Sequence, residues 1–144
     1  MTYVLGILAA VAFLVLFIAM WCGVCLLMAR IGGWSALATR FRAPEEPAGE
    51  RFRFCSMKIG IALYRSAITA IKSDTGLHLS VIALVRLGHS PILIPWSEMK
   101  NPQARRVLGA SWVDVTVSTP SIIAVRLPAK IVEGKLPNAM ATTL

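Results

Sequence analysis

The chain has 144 residues, 56% of them hydrophobic and 15% charged, with 15 Lys and Arg against 7 Asp and Glu for a formal net charge of +8. Its three cysteines, two of them in the uncharged leader, exclude a disulfide framework and agree with a reducing cytoplasm. Every charged side chain lies beyond residue 29, which leaves a basic remainder of about 115 residues, room for one compact domain with its own core and not for two.

Residues 3–29, YVLGILAAVAFLVLFIAMWCGVCLLMA, contain no charge. As a helix rising about 1.5 Å per residue they reach roughly 40 Å, more than the roughly 30 Å hydrocarbon core of a bilayer, so they can span it with some tilt. Fourteen of them are Leu, Ile, Val or Phe, and each favours insertion by about 0.3 to 0.6 kcal/mol near mid-membrane. A cleavable signal peptide is the competing assignment. It needs a basic n-region and an apolar run of roughly 7 to 15 residues, whereas only Met1 and Thr2 precede this longer run. A lipoprotein signal needs small residues before its cysteine, and Cys22 follows Met20 and Trp21 while Cys25 follows Gly23 and Val24. The run also lacks the polar stripe of a helix lying flat on a membrane. Cys22 and Cys25 have the C-x-x-C spacing of redox and zinc pairs, but no second Cys or His pair lies near, so they read as small apolar filler, with acylation as an alternative. No Lys or Arg precedes the span, whereas Arg30, Arg40, Arg42, Arg51 and Arg53 follow it. That asymmetry predicts an outside amino terminus and a cytoplasmic carboxy-terminal domain.

Residues 30–42, RIGGWSALATRFR, place Ile31, Trp34, Ala38 and Phe41 at helical spacing. They predict a short amphipathic helix at the membrane interface, with Arg30, Trp34, Arg40, Phe41 and Arg42 as its lipid contacts. The alternative is a helix whose apolar face packs on the following domain. Residues 43–50, APEEPAGE, have turn composition and read as a linker.

From residue 51 the apolar period becomes two. Phe52 and Phe54 alternate with Arg51 and Arg53, then Met57, Ile59, Ile61 and Leu63 alternate in the opposite phase, which requires a bulge near Cys55 and Ser56. Residues 64–72 lead into Ser73-Asp74-Thr75-Gly76, and Leu77, Leu79 and Val81 follow, a strand, turn, strand pattern. Residues 82–87 continue as strand, 88–91 turn, and Ile92, Ile94 and Trp96 alternate in the next strand. Residues 101–109 read as a polar connection whose Arg105 and Arg106 are a candidate partner or phosphate contact. Val113, Val115 and Val117 form a strand, Pro120 breaks it, residues 122–127 form another, and Pro128 can open a short helix over 129–136. Residues 137–144 read as a tail. Six or seven short strands without a long helix predict a small mainly-β domain over residues 51–136, an antiparallel barrel or sandwich, behind a single transmembrane helix.

Asp74-Thr75-Gly76 spells the catalytic triplet of aspartic proteases, but Lys72, Ser73 and Leu77 are the wrong flanks and a hairpin turn explains the same residues. His78 alternates outward from the apolar residues of its strand and His89 sits in a turn, so both are expected on the solvated surface. No nucleotide-binding, metalloprotease or serine-hydrolase motif is present. Neither a catalytic residue, a cofactor nor a metal is expected.

Gly76-Leu77-His78-Leu79 after the hairpin turn, then Gly88, Pro91, Ile92-Leu93-Ile94-Pro95-Trp96 and Glu98, give a strand that ends in an Ile-Pro pair before a turn. In this, and in the order of elements over residues 51–136, the chain resembles the pleckstrin-homology-like and GRAM-like folds, especially small bacterial membrane-anchored versions. The resemblance implies a binding or scaffolding module at a bacterial inner membrane. It also implies a longer closing helix than residues 129–136 supply. A basic tethered domain meets anionic lipid headgroups first, at about 1 kcal/mol per nearby cation. Other membrane proteins are the second expected partner, either as targets or as fellow subunits of a larger complex. The cations are too scattered for a nucleic-acid interface, and a homo-oligomer is compatible with the sequence.

Overall fold

The structure is a computed structural model and describes residues 1–118 and 122–135. Helix α1 (Thr2–Gly32) is continuous and uncharged almost to its end, where Arg30 sits favourably against the carboxy-terminal end of the helix dipole. It is the one helix among the described residues long and apolar enough to cross a membrane, and none of its most apolar 18-residue window is buried in the protein. Only Cys25, Ala29 and Gly32 of α1 are buried. They recur at i, i+4 and i+7, so a single stripe of the last turns faces the domain. Gly33, at φ 98°, ends α1 in the left-handed conformation and turns the chain into α2 (Trp34–Phe41).

Helix α2 is amphipathic, as the spacing predicts, but its apolar face lies on the protein. Trp34, Leu37, Ala38 and Phe41 are buried in the core while Thr39 and Arg40 face out. The expectation that Trp34 and Phe41 contact lipid is therefore corrected. An indole at 0% exposure has been taken up by the domain that follows it.

Among the described residues seven strands follow: β1 (Glu50–Ile59), β2 (Ala62–Lys72), β3 (Gly76–Val81), β4 (Ile92–Pro95), β5 (Met99–Val107), β6 (Ala110–Ser118) and β7 (Ile122–Pro128), then α3 (Ala129–Val132). They form one antiparallel sheet in the order β4-β3-β2-β1-β7-β6-β5, curled into a barrel-like shape with β4 and β5 as its two edges. β1 and β2 pair along most of their length, whereas β1 meets β7 only at Lys58↔Arg126 and Ile59↔Val125. The expected bulge is present: the β1–β2 register shifts between Phe52 and Cys55 and again between Cys55 and Met57. Met57, Ile59, Ile68, Leu77, Leu79, Ile94, Val115, Val117 and Leu127 fill the concave side, all at 1% exposure or less. Helix α2 packs beside β4, and α3 sets Ile131 and Val132 against β2, β6 and β7.

Three expected elements differ. The alternation through Ile61 and Leu63 does not continue the first strand, because Gly60 at φ 59° turns the chain there; Ile61 and Leu63 are exposed. Residues 82–87 are not strand: Ala83–Val85 is one 3-10 turn and the sheet stops at Val81. Residues 101–109 are not a loop, since β5 runs through Val107 and carries Arg105 and Arg106 as an edge strand. The helix after Pro128 spans four residues, and Pro120, Leu136 and the tail at 137–144 lie outside the described residues.

Candidate functional site at the helix and sheet junction

The place where chemistry and architecture meet is the contact between the end of α1 and the β3–β4 connection. Trp21 Nε1 donates to the Leu84 carbonyl at 2.6 Å, and the Cys25 thiol lies 3.9 Å from the same oxygen. A turn later Leu26 and Ala29 pass against Gly88. Further on, Gly32 meets the β1–β2 turn so closely that a Cβ on Gly60 would strike the Gly32 carbonyl and one on Gly32 would strike Ala62. Absent side chains let helix and hairpin backbones approach.

Behind this contact lies a buried aromatic group. Trp34 Nε1 donates to the Ser90 carbonyl at 2.9 Å, and its ring stands 5.3 Å from His89 and 5.7 Å from Tyr64. His89 Nδ1 is 3.0 Å from the Leu87 carbonyl and Nε2 is 2.7 Å from the Tyr64 hydroxyl. A carbonyl can only accept, so Nδ1 carries the proton and Nε2 accepts from Tyr64. Burial pushes the His89 pKa down, against the raising effect of its backbone hydrogen bonds, and burial pushes the Tyr64 hydroxyl well above its ordinary value. The pair is thus neutral and acts as a clamp joining α2, β2 and the β3–β4 connection.

Both histidines expected on the surface are buried, His78 at 0% and His89 at 1% exposure. His78 Nε2 donates to the Ala43 carbonyl at 2.9 Å, while Ala43 N–H donates to the Pro91 carbonyl and Arg42 bridges to Ile92. The chain leaving α2 therefore covers the face of β3 on which His78 lies. Alternation places that histidine on the side opposite Leu77 and Leu79, but β3 is covered on both sides.

The sequence-predicted contact residues separate into two sets. Arg40 is engaged by the domain: its guanidinium donates to the Ser118 carbonyl, pairs with Glu98 at 3.2 Å and lies over the Phe41 ring at 4.9 Å. Arg30 and Arg42 are exposed. Arg105 pairs with Asp114, which also holds Arg126 at 2.8 Å, whereas Arg106 is exposed. The hydrogen bond that Arg126 donates to Asp114 raises the Arg126 pKa above its ordinary value. Asp114 and Arg126, but neither Arg105 nor Arg106, line an open groove of about 350 Å³ together with Lys58, Asn101, Gln103 and Thr116.

Asp74 is fully exposed at a hairpin turn, with Lys135 at 3.4 Å, and the turn is closed by Ser73, whose hydroxyl hydrogen-bonds Gly76. Among the described residues no group of three His, Cys, Asp or Glu side chains is placed to hold a metal ion. Tyr64, His89, Leu84 and Trp21 did not stand out as a set in the sequence. Trp21 and Leu84 are 63 positions apart and Tyr64 and His89 are 25 apart, so only the fold unites them. No protein-family model matches the chain, and a search of curated proteins finds no match.

Proposed function

We propose that this is a non-enzymatic single-pass membrane protein that holds a basic β-domain against the cytoplasmic leaflet, where the domain binds a partner protein or the anionic membrane surface. The observation that supports it is a 31-residue apolar helix whose first two-thirds touch nothing in the protein and whose last turns are wedged into the domain. Such a helix is a stalk without freedom to pivot at its base. Tethering raises the local concentration of membrane neighbours around the domain, so weak contacts suffice. Binding is favoured over catalysis because the buried ionisable pair, Tyr64 and His89, is occupied in joining helix to sheet. A single curled antiparallel sheet behind an apolar helix supports reading the domain as a pleckstrin-homology-like scaffold with its amino terminus outside a bacterial inner membrane, although its closing helix, at four residues, is shorter than that resemblance implies.

A second role, as accessory subunit of a larger membrane complex, is favoured by the same helix, whose most apolar 18-residue window is open on every side to other helices. Photocrosslinking in intact membranes from a probe at Arg106, followed by mild-detergent native sizing, tests both. Crosslinks to membrane proteins or lipid with a monomer or small oligomer support the tether, and a large stoichiometric assembly supports the subunit role. No crosslink above a probe-free control would contradict both.

A further inference from the structure

We infer that the β3–β4 connection, residues 82–90, is a lipid-inserting loop that seats the domain in the headgroup layer beside its own span, with Leu84 and Leu87 as the inserted side chains and Arg86 as the phosphate contact. The inference rests on the reading of α1 as a span and names the surface through which the domain meets the bilayer. Four observations carry it.

Depth is the first. Tyr3 and Trp21 lie 18 residues apart on α1, about 27 Å at about 1.5 Å per residue, so the two amphipathic rings match the two faces of a hydrocarbon core of roughly 30 Å. Trp21 is the residue that holds Leu84, which places the loop at the inner boundary of that core. Exposure is the second. Leu84 is 72% and Leu87 47% exposed among the described residues, while Ala83–Val85 is held in a defined turn.

Backbone pairing is the third. A loop near hydrocarbon must satisfy its polar groups without water. Here Ile82 N–H donates to Ala67, Val85 N–H to Ile82, Arg86 N–H to Ala83 and His89 N–H to Arg86, and the Leu84 carbonyl takes the Trp21 indole proton. Charge is the fourth. Exposed Arg86 stands between the two leucines in sequence and exposed Arg30 follows the span, so two cations accompany the apolar pair, suited to an anionic headgroup layer. The role expected of Trp34 and Phe41 thus falls to a loop whose apolar residues the sequence pattern assigns to a strand.

The test uses the full chain with Cys22→Ala, since Cys25 and Cys55 are buried. Single cysteines at L84C, L87C and, as a reference, D74C are labelled with bimane and reconstituted into phosphatidylglycerol and phosphatidylcholine vesicles carrying a doxyl group near the acyl carbonyl. Asp74 lies past the far end of β2 from the Gly32 contact, about 33 Å along the strand at about 3.3 Å per residue. The inference predicts at least twofold stronger quenching at positions 84 and 87 than at 74. Equal quenching at all three positions in protein that still floats with the vesicles would overturn the loop while leaving the span intact. Protein that fails to float would overturn both.

Discussion

At the scale of single residues, Trp34 joins three parts of the molecule, and its removal separates effects on stability from effects on membrane binding. Trp34→Ala is expected to cost the domain about 3 to 5 kcal/mol, the usual result of emptying a buried aromatic site. Trp34→Phe keeps most of the volume but leaves the Ser90 carbonyl without its donor, a cost of about 1 to 3 kcal/mol. Urea unfolding of the full chain in micelles measures both, and vesicle flotation of either variant should be unchanged because the side chain does not face lipid. His89 sets a pH dependence. Its folded pKa is depressed by burial below the ordinary 6.5, so the unfolded chain binds more protons as pH falls below that value. The contribution is fully present above pH about 6.5 and declines below it, toward the folded pKa. Unfolding at pH 7.5 and 5.5 should show lower stability at the acid value, and His89→Gln should shrink that difference even if it lowers stability at both.

Among the elements, the hairpin from β1 to β2 supports the contact with α1. Gly60 is left-handed and abuts the Gly32 carbonyl, so Gly60→Ala adds both backbone strain and a clash. A loss of about 1 to 3 kcal/mol is expected, together with faster proteolysis near residue 33 in micelles. Unchanged stability and proteolysis would mean that the junction is not close-packed. Strands with one wet face were legible from the sequence: β6 and β7 alternate because one side of each meets the core and the other meets water. β5 was not legible, because only Met99 is buried and an edge strand carrying Arg105 and Arg106 has the composition of a loop. β3 misled in the opposite way. Its polar position, His78, is buried by the chain leaving α2, a contact 35 residues away that no local pattern encodes. Residues 82–87 are apolar enough for strand, but they leave the sheet in a 3-10 turn from which Ile82 and Val85 still pack on the core while Leu84 and Leu87 stay exposed.

On the scale of the whole molecule, sequence divides the chain into a greasy leader and a basic remainder, and the fold joins them rigidly. A flexible linker would have left the domain free to sample any orientation. Gly33 and the Trp21, Cys25, Ala29 and Gly32 stripe instead fix one end of the barrel-like sheet against the end of α1. On the proposed reading of α1 as a span, the +8 charge would be held within short range of anionic headgroups. This account requires that α1 stay attached and cross the bilayer. The most direct measurement is the intact mass of the protein recovered from membranes after an alkaline carbonate wash. The account predicts a membrane-retained chain that still contains residues 3–29; a species beginning beyond Ala29, or one released by the wash, would contradict it.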